Sequence, residues 1–272
     1  MVAGQRGRFA KSFNEFIQTR EGIKNVLDQY GTSPATTFLT EAVDISDAMA
    51  HCIRNFPKKQ ANTWTKASQD SLDHLSASAL GSLLGHFELY QRFVFAKLFE
   101  ITRFIPGFNP QSCAKSFKDL DLNLNLVNLI AYRGQPAPVG QQIADNLPGW
   151  HNPSQVNQYI KSLLENVNFY SNYEIRELGI LWQLRHSIVH TGSWLTRSDA
   201  AKIPELKMFS DKPIFLKENF IETVVRRMHV IVQRSITRVE KVLEKKIPGK
   251  LDDYKEIKEF LDVQSPRKAW LS

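Results

Sequence analysis

Apolar positions recur at intervals of three and four along most of this chain, with polar positions filling the gaps. That period belongs to helices that turn one face inward. Between residues 7 and 30, Phe9, Phe13, Phe16, Ile17, Ile23, Val26, Leu27 and Tyr30 predict one amphipathic helix, or two joined near Arg20, ending at Gly31. Thr32-Ser33-Pro34 reads as a turn. A short helix is expected from Ser46 to Phe56, and Pro57-Lys58-Lys59 opens a polar connector to about Ala67. A long helix from Asp70 to Phe104 follows. Leu80, Leu83, Leu84, Phe87, Val94, Leu98 and Ile101 form one stripe, while Phe93, Phe95 and Phe99 lie on other faces. A helix apolar on several sides is packed on several sides, so this one should be central.

Shorter helices are expected at 110–119, 124–132, 138–146 and 153–168, separated by turns rich in glycine and proline. Ile175, Leu178, Leu181, Leu184 and Ile188 predict a helix from Asn172 to Thr191, which Gly192 is placed to stop. A loop through Pro204 and Pro213 leads to a long amphipathic helix from Leu216 to Lys246, and a short one spans Leu251 to Val263. No strand-hairpin series and no internal repeat is visible. The expectation is an all-α fold, an up-and-down helical bundle over residues 68–248. Residues 1–67 form an N-terminal helical extension in this reading, and residues 249–272 a short C-terminal helix and tail.

Composition narrows the setting. A chain of 272 residues with 42% hydrophobic and 23% charged side chains can bury a sizeable core. A net charge of +7 favours an anionic partner. Cys52 and Cys113 have no cysteine nearby to form a zinc site or a disulfide framework, and read as buried thiols of a reducing compartment. The N-terminus lacks the apolar run of a secretion signal, and Lys97, Glu100 and Arg103 interrupt the best candidate for a membrane span. A cytoplasmic protein without a membrane partner is expected.

The densest chemistry lies in Arg185-His186-Ser187-Ile188-Val189-His190-Thr191-Gly192, at the end of a predicted helix. An arginine is a fixed positive charge that suits phosphate, and a histidine moves protons near neutral pH. Such a pair suits metal-independent RNA cleavage. His190 would take the proton of a 2′-hydroxyl or give one to the leaving 5′-oxygen, and Arg185 would stabilise charge growing on the phosphate. The bland reading is also open: a helix-terminal histidine often satisfies free carbonyls, and such an arginine is often solvated or salt-bridged.

His186 and His190 sit one turn apart, but no glutamate follows His186 and no third ligand is evident, so neither a metal nor any other cofactor is expected. Glu88, in the long central helix, is a candidate to pair with Arg185 and orient it. Arg227, Arg234, Arg238, Lys241 and Lys245 share a face of the late helix. They read either as a solvated face or as a phosphate track for sequence-independent RNA binding, to which Arg6, Arg8 and Lys11 could add.

An arginine, a polar residue, and a histidine five positions after the arginine, set between long helices, resemble the signature of the HEPN superfamily. The resemblance covers roughly residues 70–246. It implies a four-to-five-helix bundle, dimerisation through the motif face, and metal-independent ribonuclease activity in toxin–antitoxin or antiviral-defence systems. It places Arg185 and His190 at the catalytic centre, with His186 assisting. It also allows a non-catalytic RNA-binding or assembly module serving an antitoxin or defence-complex partner. Gly192 stands where some such toxins carry a tyrosine, which departs from their pattern. On an ideal helix Arg185 and His190 point roughly 140° apart. Either the last turn distorts near Gly192, or two chains pool their residues in a homodimer.

Overall fold

The structure is a computed structural model that describes residues 26–60, 63–120 and 138–271. It is an all-α helical bundle built around one long central helix. In chain order the described helices are α1 (Val26–Thr32), α2 (Pro34–Asn55), α3 (Lys66–Ile101), α4 (Pro110–Asp119), α5 (Val139–Asn146), α6 (Pro153–Leu163), α7 (Asn172–His190), α8 (Arg197–Lys202), α9 (Phe220–Lys246) and α10 (Lys255–Leu261). Most of the helix expected over 7–30, that expected over 124–132, and Arg6, Arg8 and Lys11 lie outside the described residues.

Helix α3 begins at Thr65, whose hydroxyl accepts the Ser68 N–H, and its apolar positions face several neighbours as its sequence demands. It touches α1, α2, α5, α6, α7, α9 and α10. Leu80, Leu83, Leu84, Phe87, Val94, Leu98 and Ile101 are all fully buried. Each such side chain contributes about 1.5–3 kcal/mol relative to exposure. Phe87 and Tyr90 join Phe38 of α2 and Tyr170 in one aromatic cluster, so the segment before residue 67 shares the core of the segment after it. On α9 the predicted apolar face is also inside: Ile221, Val224, Val225, Met228, Val232, Ile236, Val239 and Leu243 are buried.

The differences from the sequence reading have local causes. The second helix is longer than expected, Pro34–Asn55 rather than Ser46–Phe56, because Pro34 starts it instead of belonging to a turn. Two short hairpins were not foreseen: β1 (Lys58–Gln60) pairs with β2 (Thr63–Trp64), and β3 (Trp194–Leu195) with β4 (Lys212–Pro213). The helix expected over 153–168 stops at Leu163, and Asn166 has a left-handed backbone (φ 65°). The helix expected from Leu251 to Val263 divides into a 3-10 turn and α10. Beyond it, Ser265 accepts or donates a hydrogen bond at 2.8 Å with the buried His229, tying the C-terminal residues to α9. Among the described residues no helix is long and apolar enough to cross a membrane.

Candidate functional site

Helix α7 is fixed at both ends by its own sequence. Ser171 accepts the Glu174 N–H, and the Glu174 carboxylate accepts the Ser171 N–H, which together form a capping box. At the other end Thr191 closes the helix, and Gly192 and Ser193 both have positive φ, 60° and 68°. The Trp194 N–H then donates to the Thr191 carbonyl at 3.2 Å, completing a tight turn into β3. Gly192 adopts that backbone at no steric cost. Leu195 is fully buried, which anchors the exit strand beneath the helix end.

The motif residues therefore lie on regular helix through His190, and the distortion considered for the last turn is absent. His186 and His190 are both exposed, and their rings come together with centroids 4.7 Å apart. Arg185 is partly buried and has no ion pair among the described residues, unlike most arginines here. By helix geometry it stands roughly 140° around the axis from His190, so the two do not share a face of α7.

Glu88 does not take the partner expected for it. Arg92, one turn further along α3, donates to the Glu88 carboxylate at 2.6 Å and also lies 3.5 Å from Asp145. An i, i+4 partner on the same helix is within easy reach, which is why it wins.

The basic residues of α9 divide into two kinds. Arg227 pairs with Glu177 of α7, and Arg238 with the buried Glu174 of the same helix. Arg238 also donates to the Phe169 carbonyl at 2.8 Å. Its guanidinium is a structural clamp, because an almost fully buried carboxylate must be neutralised. Arg234, Lys241 and Lys245 are exposed and show no ion pair among the described residues.

Sequence reasoning missed Asp199. It enters from α8, directly after the turn that follows the motif. Its side chain is 8% exposed, accepts from Lys202 Nζ at 2.8 Å, and lies 3.9 Å from His186 Nε2. The Lys202 hydrogen bond, above all, holds this carboxyl below the usual carboxylate range, with Thr196 and His186 acting in the same direction. The signal was present as Thr196-Arg197-Ser198-Asp199, a serine/threonine-x-x-acid capping pattern. Nothing in it pointed to the histidines.

Val189 within the motif and Trp194 just after it are exposed, as are Met208, Phe209 and Phe215 further along the chain. Among the described residues no group of three or more histidine, cysteine, aspartate or glutamate side chains is placed to hold a metal ion. Cys113 is buried, which pushes its thiol up to about 11, and Cys52 is half-buried; neither is in a disulfide. Comparison with known proteins gives no match: no family model, curated protein or solved structure is significantly similar to this chain.

Proposed function

We propose that this chain is a metal-independent endoribonuclease of the HEPN type, a toxin or antiviral-defence effector that works in the cytoplasm as a homodimer. The observation that carries the reading is the pair of solvent-open imidazoles, ring centroids 4.7 Å apart, at the end of a helix that also bears an arginine with no ion pair among the described residues. One imidazole removes the proton of the 2′-hydroxyl as its oxygen attacks phosphorus. The other donates a proton to the 5′-oxygen as that bond breaks, leaving a 2′,3′-cyclic phosphate and a 5′-hydroxyl. Arg185 from the facing chain holds the non-bridging oxygens. Arg234, Lys241 and Lys245 guide the RNA backbone, and neither a metal nor a cofactor takes part.

The test is cleavage of bulk RNA in EDTA. His190→Ala and Arg185→Ala should each lose about a hundredfold or more of the wild-type rate while remaining folded. Equal rates in wild type and folded His190→Ala would remove His190 from the chemistry.

The exposed Met208, Phe209 and Phe215 favour a second reading, a non-catalytic RNA-binding or assembly module that docks an antitoxin or defence-complex protein. An obligate hetero-complex without RNA cleavage would support it over the nuclease.

A further inference from the structure

Helices α2 and α3 and the segment leading into α9 border a cavity of about 520 Å³, a size that suits a small flat ligand. Met49, Ile53 and Leu72 supply apolar lining, and Phe215 lines it while 68% exposed. Ser76 lines it too. That side chain is only 3% exposed, yet its hydroxyl has no hydrogen bond among the described residues. Buried polar groups are ordinarily satisfied, so a hydroxyl in this position points to a ligand.

The charges about the cavity limit what that ligand is. Asp73 Oδ1 accepts from the Gln69 amide at 2.9 Å, and its other oxygen has no hydrogen bond among the described residues. Glu218 accepts the Trp64 indole N–H, and Lys217 is exposed with no ion pair among the described residues. Two carboxylates against one ammonium oppose an anion, so a phosphate group does not enter. An exposed aromatic ring suits a flat ligand that stacks on it. A free carboxylate oxygen suits an amino group, and a hydroxyl can bond a ring nitrogen. A nucleobase has flat faces and donors at its edge together. We propose that this cavity binds an unpaired nucleobase bearing an exocyclic amino group, stacked on Phe215 with the amino group donating to Asp73. The cavity also adjoins the motif. The Ile214 N–H donates to the Ser193 carbonyl at 2.7 Å, so the backbone of Phe215 lies within roughly 20 Å of that of His190. Applied to the ribonuclease reading, on which this last step rests, the substrate is single-stranded RNA. The captured base then sets where the strand crosses the histidines.

The test is binding of short 2′-O-methyl RNAs of adenine, cytosine or uracil to the full chain, read by fluorescence anisotropy at several salt concentrations. Methylation removes the attacking hydroxyl, so cleavage does not intervene. The adenine and cytosine strands should bind several-fold tighter than the uracil strand, whose base has no amino group. Cytosine against uracil is the sharper comparison, because the two rings are the same size. Phe215→Ala should weaken binding about tenfold, as loss of one stacking contact does, and Phe215→Tyr should retain it. The dependence on salt should stay as in wild type, because no charge is lost. Asp73→Ala should narrow the preference for amino-bearing bases. Equal binding of cytosine and uracil strands, no binding of any strand, or unchanged binding by Phe215→Ala overturns the proposal. RNA cleavage is measured separately on unmodified RNA. Base-dependent binding without any cleavage leaves the cavity's role standing and removes the nuclease reading. Cleavage with binding unaltered in Phe215→Ala does the reverse.

Discussion

Arg234 and Arg238 stand one turn apart on the same helix, yet their neighbours give them different tasks. Arg238 donates to both oxygens of Glu174, at 2.6 and 3.0 Å. Burial alone favours the neutral form of Glu174, but the bonds from Arg238 and Ser171 outweigh it and hold the carboxyl below its usual value. Removing Arg238 strands that charge, so Arg238→Ala should cost about 3 kcal/mol in urea unfolding. Arg234→Ala should stay within about 0.5 kcal/mol of wild type, as exposed substitutions do, and under the proposed ribonuclease function it should weaken RNA binding. The pH dependence has a definite sign. The folded carboxyl ionises more readily than the unfolded one, so the pair's contribution is present above the ordinary value of 4.5 and is lost as pH falls through the folded value. The stability of the wild type should therefore decline on acidification more steeply than that of Arg238→Ala. Equal acid sensitivity in the two proteins would mean that the guanidinium does not anchor Glu174.

At the scale of elements, packing decides what propensity leaves open. Gly140, in the first turn of α5, lies so close to α3 that an added Cβ would stand 2.3 Å from the Ala96 carbonyl oxygen. Its N–H is meanwhile taken by Glu100 of α3 at 2.8 Å. Gly140→Ala should destabilise by about 1–3 kcal/mol in thermal or urea unfolding, because rigid backbone must move. Gly85→Ala, in α3 with nothing within 4 Å of the new atom, should be neutral or stabilise by about 0.5–1 kcal/mol. If both glycines behave alike, the close approach of α5 to α3 is wrong. The same competition explains what could be read in the sequence. Helices α3, α7 and α9 were legible because each repeats its apolar stripe over many turns. The first half of α2 was not, because Thr36, Thr37 and Thr40 disfavour helix and Pro34 resembles a turn. Burial of Phe38, Leu39 and Ala42 decides for helix, and the Thr37 and Thr40 hydroxyls return 2.9 Å bonds to carbonyls one turn back. The two-residue strands were invisible because alternation needs more than two residues to register. In the site, the histidine pair was legible as an i, i+4 spacing. Asp199 was not, because its approach to within 3.9 Å of His186 depends on the chain turning at Gly192 and Ser193.

At the scale of the whole molecule, the regular helix through His190 turns a problem of geometry into a statement about copies. Arg185 and His190 of one chain diverge, so a joint site needs the arginine of one chain and the histidine of another. The exposed Val189 and Trp194 beside them provide apolar surface for such a contact. A two-fold dimer arranged this way has two composite sites, each drawing one group from each chain. This separates a shared site from two independent ones by mixing. Let Arg185→Ala and His190→Ala be combined in equal amounts and allowed to exchange. Half of the dimers are then mixed, and each mixed dimer contains one site with both groups intact and one with neither. RNA cleavage should return to about a quarter of the wild-type rate from two nearly inactive parents. Trp194→Glu, placed on both variants, should abolish the recovery by preventing association, and sedimentation should show monomers. Salt adds an independent sign: chains of net charge +7 repel, so association should strengthen as salt screens them, whereas RNA binding should weaken. No recovery on mixing, from partners that sedimentation shows to have exchanged, would mean that arginine and histidine do not meet across an interface. Because they also diverge within each chain, that result would leave Arg185 without a phosphate to hold.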